Sequence, residues 1–446
     1  MIGYPYLHEG DEVSMPPFSD VLFDAKVPYA LAPWDRSNTG LRVTRVETFM
    51  TAPGGAPLVI VKVETNEPGL IGWGCASTPQ RPLAVVNVIN NYLGPLLVGR
   101  RALDIEDFHH LMELSPYWRG GAVENNALAG LDIALWDIKG KIANLPVHQL
   151  LGGQTRTRVS VYGHADGRDH VEVIDNVQKF MDKGYEYVRA QIAVPNADTY
   201  GAHGASDPLL AAATRARSIP WRAGEYVRTV APMFEALREA VGWKVELLHD
   251  VHERVNVVQA IQLAKDLEPY RLFFLEDAIA PEDLNWYRNM RQSTTTPQAV
   301  GETFSEILTF VPLIVDRLID FARIRLCAVG GITPTVKLAH LCELMGVRLA
   351  IHGPGDVSPI GHAAGLAIDS SSRAFGIQES IEYSDAIREV FPGAPILDNG
   401  SYEVSQSSGI GVEFDETKAA KYPISESVRY DSWSLLRRED GAVSRP

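Results

Sequence analysis

From Leu41 onward, apolar and polar positions alternate. LRVTRVETFM and PLVIVKVET read as half-buried strands, and GLIGWGCAS follows after a turn. The period then lengthens. In NALAGLDIALWDIKGK the residues Leu128, Leu131, Leu135, Ile138 and Ile142 recur at helical spacing, which predicts a helix with those five on its apolar stripe. Three strands followed by helices suggest an α+β domain. It ends near QLLGGQ, where Gly152-Gly153 is a stop signal. Residues 1–40 are rich in Pro, Gly and Asp without a steady period, and read as an extended arm.

Beyond Gly153 the rhythm becomes strand, helix, strand, helix. RVSVYGHADG, YEYVRAQ, KVELLHDVH, RLFFLED, PQAVGET, LIDFARIRL, VRLAIHG and AFGIQES are the strand-like runs. VEVIDNVQKFMDKG is an amphipathic helix closed by Gly184, and NVVQAIQLAKDLEP is another, ended by Pro269. In TPTVKLAHLCELMG, Thr333 is the expected N-cap and Pro334 the first helical residue. Each strand-like run ends in a polar side chain: His164, Arg189, Asp250, Glu276, Glu302, Arg323, His352 and Glu379, at successive gaps of 25, 61, 26, 26, 21, 29 and 27 residues. Eight strands at this spacing match a (β/α)8, TIM-like barrel, in which chemistry sits at the C-terminal strand ends. A polar strand end is often polar merely because it meets water, but eight on one rim are harder to explain that way. The long gap predicts a loop over roughly residues 192–230 across the barrel mouth.

Composition narrows the function. Lys plus Arg number 41 against 56 Asp plus Glu, a net charge of −15, which argues against a nucleic-acid partner. Cys75, Cys327 and Cys342 form no CxxC and favour a reducing compartment. No signal peptide and no membrane span are legible, so a cytoplasmic protein is expected.

Asp250, Glu276 and Glu302 end three consecutive strands, and neighbouring strands lie about 4.8 Å apart. Three converging carboxylates repel unless a cation joins them, and hard oxygen ligands suit Mg²⁺. Separate salt bridges with lysines are the alternative, but these strands supply no lysine beside their acids.

With WDIKGK, LLGG, VYGHADG, LLHDVHERV, LEPYRLFFLED, TTTPQAVGE, GGIT, HGPGDVSP, FGIQE and GIGVEFDE, the chain resembles the mandelate-racemase-like group of the enolase superfamily. More closely it resembles the D-mannonate dehydratase family, and within it the low-activity branch of starvation-sensing or "D-galactonate dehydratase family member" proteins. The resemblance implies a capping domain over residues 41–158, completed by 380–446, on a barrel spanning 159–379. It implies one Mg²⁺ per subunit, held by Asp250, Glu276 and Glu302, and an acid-sugar substrate dehydrated through an ene-diolate to a 2-keto-3-deoxy acid. Its base maps to Tyr200 with Arg189 beside it, and its acid to His252, where strand alternation places residues i and i+2 on one side. Gln80, His164, Glu302, Arg323, His352, Asp356 and Glu379 map to substrate contacts. A dimer-based homo-oligomer, possibly an octamer, is also implied. His249 should point away from the site as a structural residue, and Glu253 and Glu282 should be solvated.

Arg189-Ala190-Gln191 replaces the Lys-x-Lys of racemase relatives, which argues against racemisation. The chain departs from efficient dehydratases at Pro354, at Pro79, where the family has an asparagine, and in a tail without the expected aromatic residue. These departures point to slow turnover of D-mannonate or D-gluconate, with a non-catalytic or regulatory binder of sugar acids or lactones as the alternative.

Overall fold

The computed structural model describes residues 40–193, 222–425 and 440–442. Strands β1 (Val43–Thr51), β2 (Leu58–Thr65) and β3 (Ile71–Cys75) form an antiparallel sheet in sequence order. The helix Ala122–Ala143 lies across it. Glycine permits that approach: a Cβ on Gly74 would stand 1.8 Å from the carbonyl oxygen of Gly130. Leu128, Leu131, Leu135 and Ile138 are buried there, but Ile142 is 49% exposed. The apolar stripe outruns the sheet. Lys141 Nζ already donates to the carbonyl of Ile71, the first residue of β3, so the next residue has nothing to cover it.

Eight parallel strands follow: β4 (Arg158–Gly167), β5 (Tyr187–Ile192), β6 (Glu246–Asp250), β7 (Phe274–Glu276), β8 (Gln298–Val300), β9 (Phe321–Ile324), β10 (Arg348–Ile351) and β11 (Phe375–Glu379). Each pairs with the next, and β11 closes on β4 through Gln378↔Val161 and Glu379↔Tyr162. The barrel interior is plugged by Tyr162, Leu248, Phe274, Ala299, Phe321, Ala350 and Ile377. Side chains on a strand alternate, so residues two further along share the interior face. That rule lifts His164, Asp250, Glu276, Arg323, His352 and Glu379 onto the rim above the plug. Glu302 arrives differently. Strand β8 stops at Val300, and Gly301 at φ 125° turns the chain so that Glu302, rather than residue 301, joins the rim.

The helix Ile332–Met345 begins two residues earlier than expected, with Gly331 at φ 104° as its cap. Thr333 lies inside the first turn, and both its N–H and its hydroxyl donate to Asp132 on the capping-domain helix. Asp132 is fully buried, and burial pushes its carboxyl up to about 7 against the lowering effect of those Thr333 bonds. A carboxyl with a raised folded-state pKa contributes stability at low pH, and that contribution is lost as pH rises from the unfolded value of about 4 through 7. Replacing Asp132 with Asn removes the titration. Relative to Asp132→Asn, the wild-type protein should lose stability between pH 5 and 8, by on the order of 2–4 kcal/mol at most. Thermal melts of both proteins across that range would check this, and parallel pH profiles would refute it.

After the barrel, β12 (Leu397–Asp398) and β13 (Ser401–Glu403) form a hairpin. Strand β13 pairs antiparallel with the start of β4 through Ser401↔Ser160 and Tyr402↔Val159. The chain then returns to the first sheet. Trp73 Nε1 donates to Glu413 at 2.8 Å, and Thr51 Oγ1 donates to the carbonyl of Ala419 at 3.0 Å. The expected arm over residues 1–39, and residues 194–221 of the long loop, lie outside the described residues. Among the described residues, no helix is long and apolar enough to cross a membrane.

Candidate active site

The rim gathers an unusual density of buried charge. Asp250, Glu276 and Glu379 are at most 1% exposed, as is Arg323, and Arg189 is 2% exposed. Asp250 and Glu276 are register partners on β6 and β7. Arg189 Nη1 lies 3.2 Å from Asp250, 3.8 Å from Glu276 and 3.9 Å from Glu379. Arg323 contacts Glu276 through Nε, and Glu302 and Glu379 through Nη2 at 3.4 and 2.8 Å. The counter-charges that the strands lack as lysines are therefore these two arginines. Glu379 also accepts from Gly353 N–H at 2.9 Å and lies 2.9 Å from His164 Nε2. Burial alone would raise the Glu379 carboxyl, but Arg323, His352 and His164 hold it well below the usual range.

His252 reaches the cluster by a route that strand alternation does not supply. Strand β6 ends at Asp250, and His252 has a left-handed backbone at φ 53°, followed by Glu253 at φ 58°. That turn lets His252 N–H donate to Asp250 Oδ1 at 2.7 Å and brings Nε2 within 3.4 Å of Glu302 Oε1. Burial would lower the His252 pKa, but its hydrogen bond to Glu302 and the charges of Asp250 and Glu302 lift it to about 9. His352 Nε2 lies 3.3 Å from the other Glu302 oxygen. There burial outweighs the nearby acids and holds the imidazole at about 4. Two histidines thus flank one carboxylate, one cationic and one neutral near pH 7.

Asp356 binds Arg325 through both oxygens, at 3.0 and 3.1 Å. Gln80 is exposed on the loop after β3. His249 points away from the rim: its Nδ1 lies 2.8 Å from the Ala190 carbonyl and its Nε2 2.7 Å from the Tyr226 hydroxyl. Glu253 is half-buried rather than solvated, because the left-handed turn directs it onto Thr303 Oγ1 at 2.7 Å. Glu282 is exposed. Tyr200 lies outside the described residues.

The donor set suits a hard divalent cation. Asp250, Glu276, Glu302 and Glu379 face the two guanidiniums of Arg189 and Arg323, so the acids outnumber the arginines by two. Buried Glu276 meets the guanidiniums through Oε1 alone, its Oε2 has no hydrogen-bond partner, and burial drives its carboxyl far above the usual range. Among the described residues, Glu276, Asp277 and Glu302 each bring one oxygen within 4.8 Å of the others. Asp250 stands beside Glu276 by register, with its oxygens engaged by Arg189 and His252. Asp277 escaped sequence reasoning. Alternation turns residue 277 outward, but a left-handed φ of 35° swings it back, and its Oδ1 accepts from Gly301 N–H at 2.8 Å. Its only sequence signal is that it directly follows Glu276.

The family described as mandelate racemase / muconate lactonizing enzyme, N-terminal domain, matches residues 38–152, and the one described as enolase C-terminal domain-like matches 173–418. A "D-galactonate dehydratase family member" from Streptomyces sp. (strain SPB074) is 50% identical over 423 residues, covering 94% of this chain and 95% of that protein. Another from Salmonella enteritidis PT4 (strain P125109) is 46% identical, covering 92% of this chain and 99% of its own. Among solved structures, an enolase from Pantoea ananatis with bound D-gluconate and Mg superimposes with a TM-score of 0.84 at 43% identity, covering 91% of this chain and 100% of that one. An enolase from Agrobacterium radiobacter with bound Na and L-malate does so with a TM-score of 0.76 at 25% identity, covering 91% and 100%.

Proposed function

Because the chain belongs to the enolase superfamily, alongside the D-galactonate dehydratase family members, we propose that it is a magnesium-dependent hydro-lyase. Its substrate is a sugar acid of the D-mannonate or D-gluconate type, and its product is the 2-keto-3-deoxy acid. The observation that carries this reading is the buried rim on which acids outnumber guanidiniums and Glu276 Oε2 has no hydrogen-bond partner. The D-gluconate and Mg in the Pantoea ananatis enolase support it.

Asp250, Glu276 and Glu302 would hold the ion, one per subunit, with Asp277 adjacent, and a Mg²⁺ held there would supply the Lewis acidity that makes the C2 proton of the bound acid removable. Tyr200 is the base that the family resemblance implies, with Arg189 as the cation that would favour a phenolate. The His252 imidazolium gives its Nε2 proton to the departing C3 hydroxyl. Arg323 and Glu379 orient the substrate with His164 and His352, through hydrogen bonds strengthened by charge. Gln80 and Asp356 are assigned to the hydroxylated end of the substrate, as the family resemblance implies. Pro354 brings no N–H to the loop beside it, consistent with slow turnover. A second reading, binding without turnover, is favoured by Asp356, whose oxygens are both occupied by Arg325.

Incubation with Mg²⁺ and D-mannonate, D-gluconate or D-galactonate, followed by an assay for 2-keto-3-deoxy acid, tests the proposal. Product should appear with at least one acid, disappear with EDTA and return when Mg²⁺ is restored. Binding without product from any of the three would favour the second reading.

A further inference from the structure

Arg325 belongs to none of the roles assigned above, yet it is 9% exposed at the junction of three segments. Its Nη1 binds both oxygens of Asp356 on the loop after β10. The same nitrogen lies 3.4 Å from His352 Nδ1, and Nη2 donates at 3.2 Å to the carbonyl of Ser77 on the loop after β3. A second tie runs parallel to it, with Cys327 Sγ donating to the Cys75 carbonyl at 3.4 Å. The loop so fastened leads on to Gln80. A planar guanidinium can make these contacts together because its donors form a rigid fork.

We propose that Arg325 is a positioning residue for substrate discrimination: it fastens the capping-domain loop to the barrel rim and fixes Asp356 at the pocket wall that meets the hydroxylated tail of the sugar acid. The class of ligand rests on the reading given above, but the fastening does not. An acid anchored by its carboxylate among Asp250, Glu276 and Glu302 and reaching past Glu302 towards His352, 3.3 Å from it, would next meet Arg325, 3.4 Å from His352, and the Asp356 that it holds. With Arg325 removed, the tail meets an uncompensated Asp356 carboxylate and a loosened wall. The carboxylate end is untouched.

The test uses Arg325→Gln and Arg325→Lys in the full chain with saturating Mg²⁺. Calorimetry measures binding of D-gluconate and of glycolate, a hydroxy acid with no tail, and hydrogen exchange follows residues 75–80. For Arg325→Gln, D-gluconate should bind about 10- to 100-fold more weakly. Glycolate should change less than about twofold, exchange in the loop should rise, and Arg325→Lys should recover part of the loss. Equal weakening of both acids overturns the proposal, since Arg325 would then act at the carboxylate end. Faster exchange with unchanged D-gluconate affinity also overturns it, leaving a purely structural tie. If the wild type binds neither acid, the substrate reading fails, and unchanged exchange in Arg325→Gln would then refute the fastening on its own.

Discussion

Replacing Glu276 with Gln should lower sugar-acid dehydration by about a thousandfold or more, equivalent to about 4 kcal/mol of barrier. Glutamine keeps the size of the side chain and one oxygen but removes the charge. The lost charge belongs to the carboxylate whose Oε2 has no hydrogen-bond partner, so nothing on the rim replaces it towards the ion. Magnesium affinity should fall with the rate, which separates a ligand from a residue that only shapes the pocket. Metal-free protein tells a different story. Arg323 loses one of its partners but keeps Glu302 and Glu379, so melting in EDTA should change little. The stabilisation that wild type gains on adding Mg²⁺ follows from ligand linkage, and Glu276→Gln should lack it. A variant that still gained stability from Mg²⁺ at wild-type concentrations would remove Glu276 from the ion's coordination.

The second large effect is expected at His252. His252→Asn should reduce kcat by about 10²- to 10⁴-fold, the usual contribution of a positioned proton donor. Asparagine is the informative choice because it tolerates left-handed backbone, which this position requires at φ 53°. The backbone N–H that donates to Asp250 is also kept, so the adjacent carboxylate is not disturbed. Magnesium affinity and KM should therefore move far less than kcat. Retention of more than about a tenth of wild-type kcat would exclude His252 as the acid.

Much of this site is written in the chain as spacing. The strands are nearly all apolar until their last residues, so Arg189, Asp250, Glu276, Arg323, His352 and Glu379 stand out, and their intervals count eight strands. What spacing does not carry is backbone geometry at the strand ends. Asp277, His252 and Glu253 depend on left-handed φ values in residues other than glycine, where alternation gives the wrong side or the wrong reason. Thr333 resembles a helix cap in sequence, but its hydroxyl is spent on Asp132, 201 residues away, and the helix starts at Ile332 instead. Arg325 was invisible for a similar reason: its partners come from three separated segments, and nothing local marks it. Strand ends without lysine suggest acids without counter-ions, yet Arg189 and Arg323, which the resemblance assigns to the base and to a substrate contact, are also the charge partners of those acids.

The return of the chain after the barrel bears on how such proteins can be recombined. The hairpin at Leu397–Glu403 adds to the first barrel strand, and the segment beyond it is bonded to Thr51 and Trp73 near the opposite terminus. The front portion is therefore not a cassette that could be exchanged at a single crossover near residue 155. A chimera cut there would inherit a front sheet and a closing strap of different parentage, with Glu413 and Trp73 no longer matched to each other. Functional shuffling between such relatives requires two junctions, one on either side of the barrel.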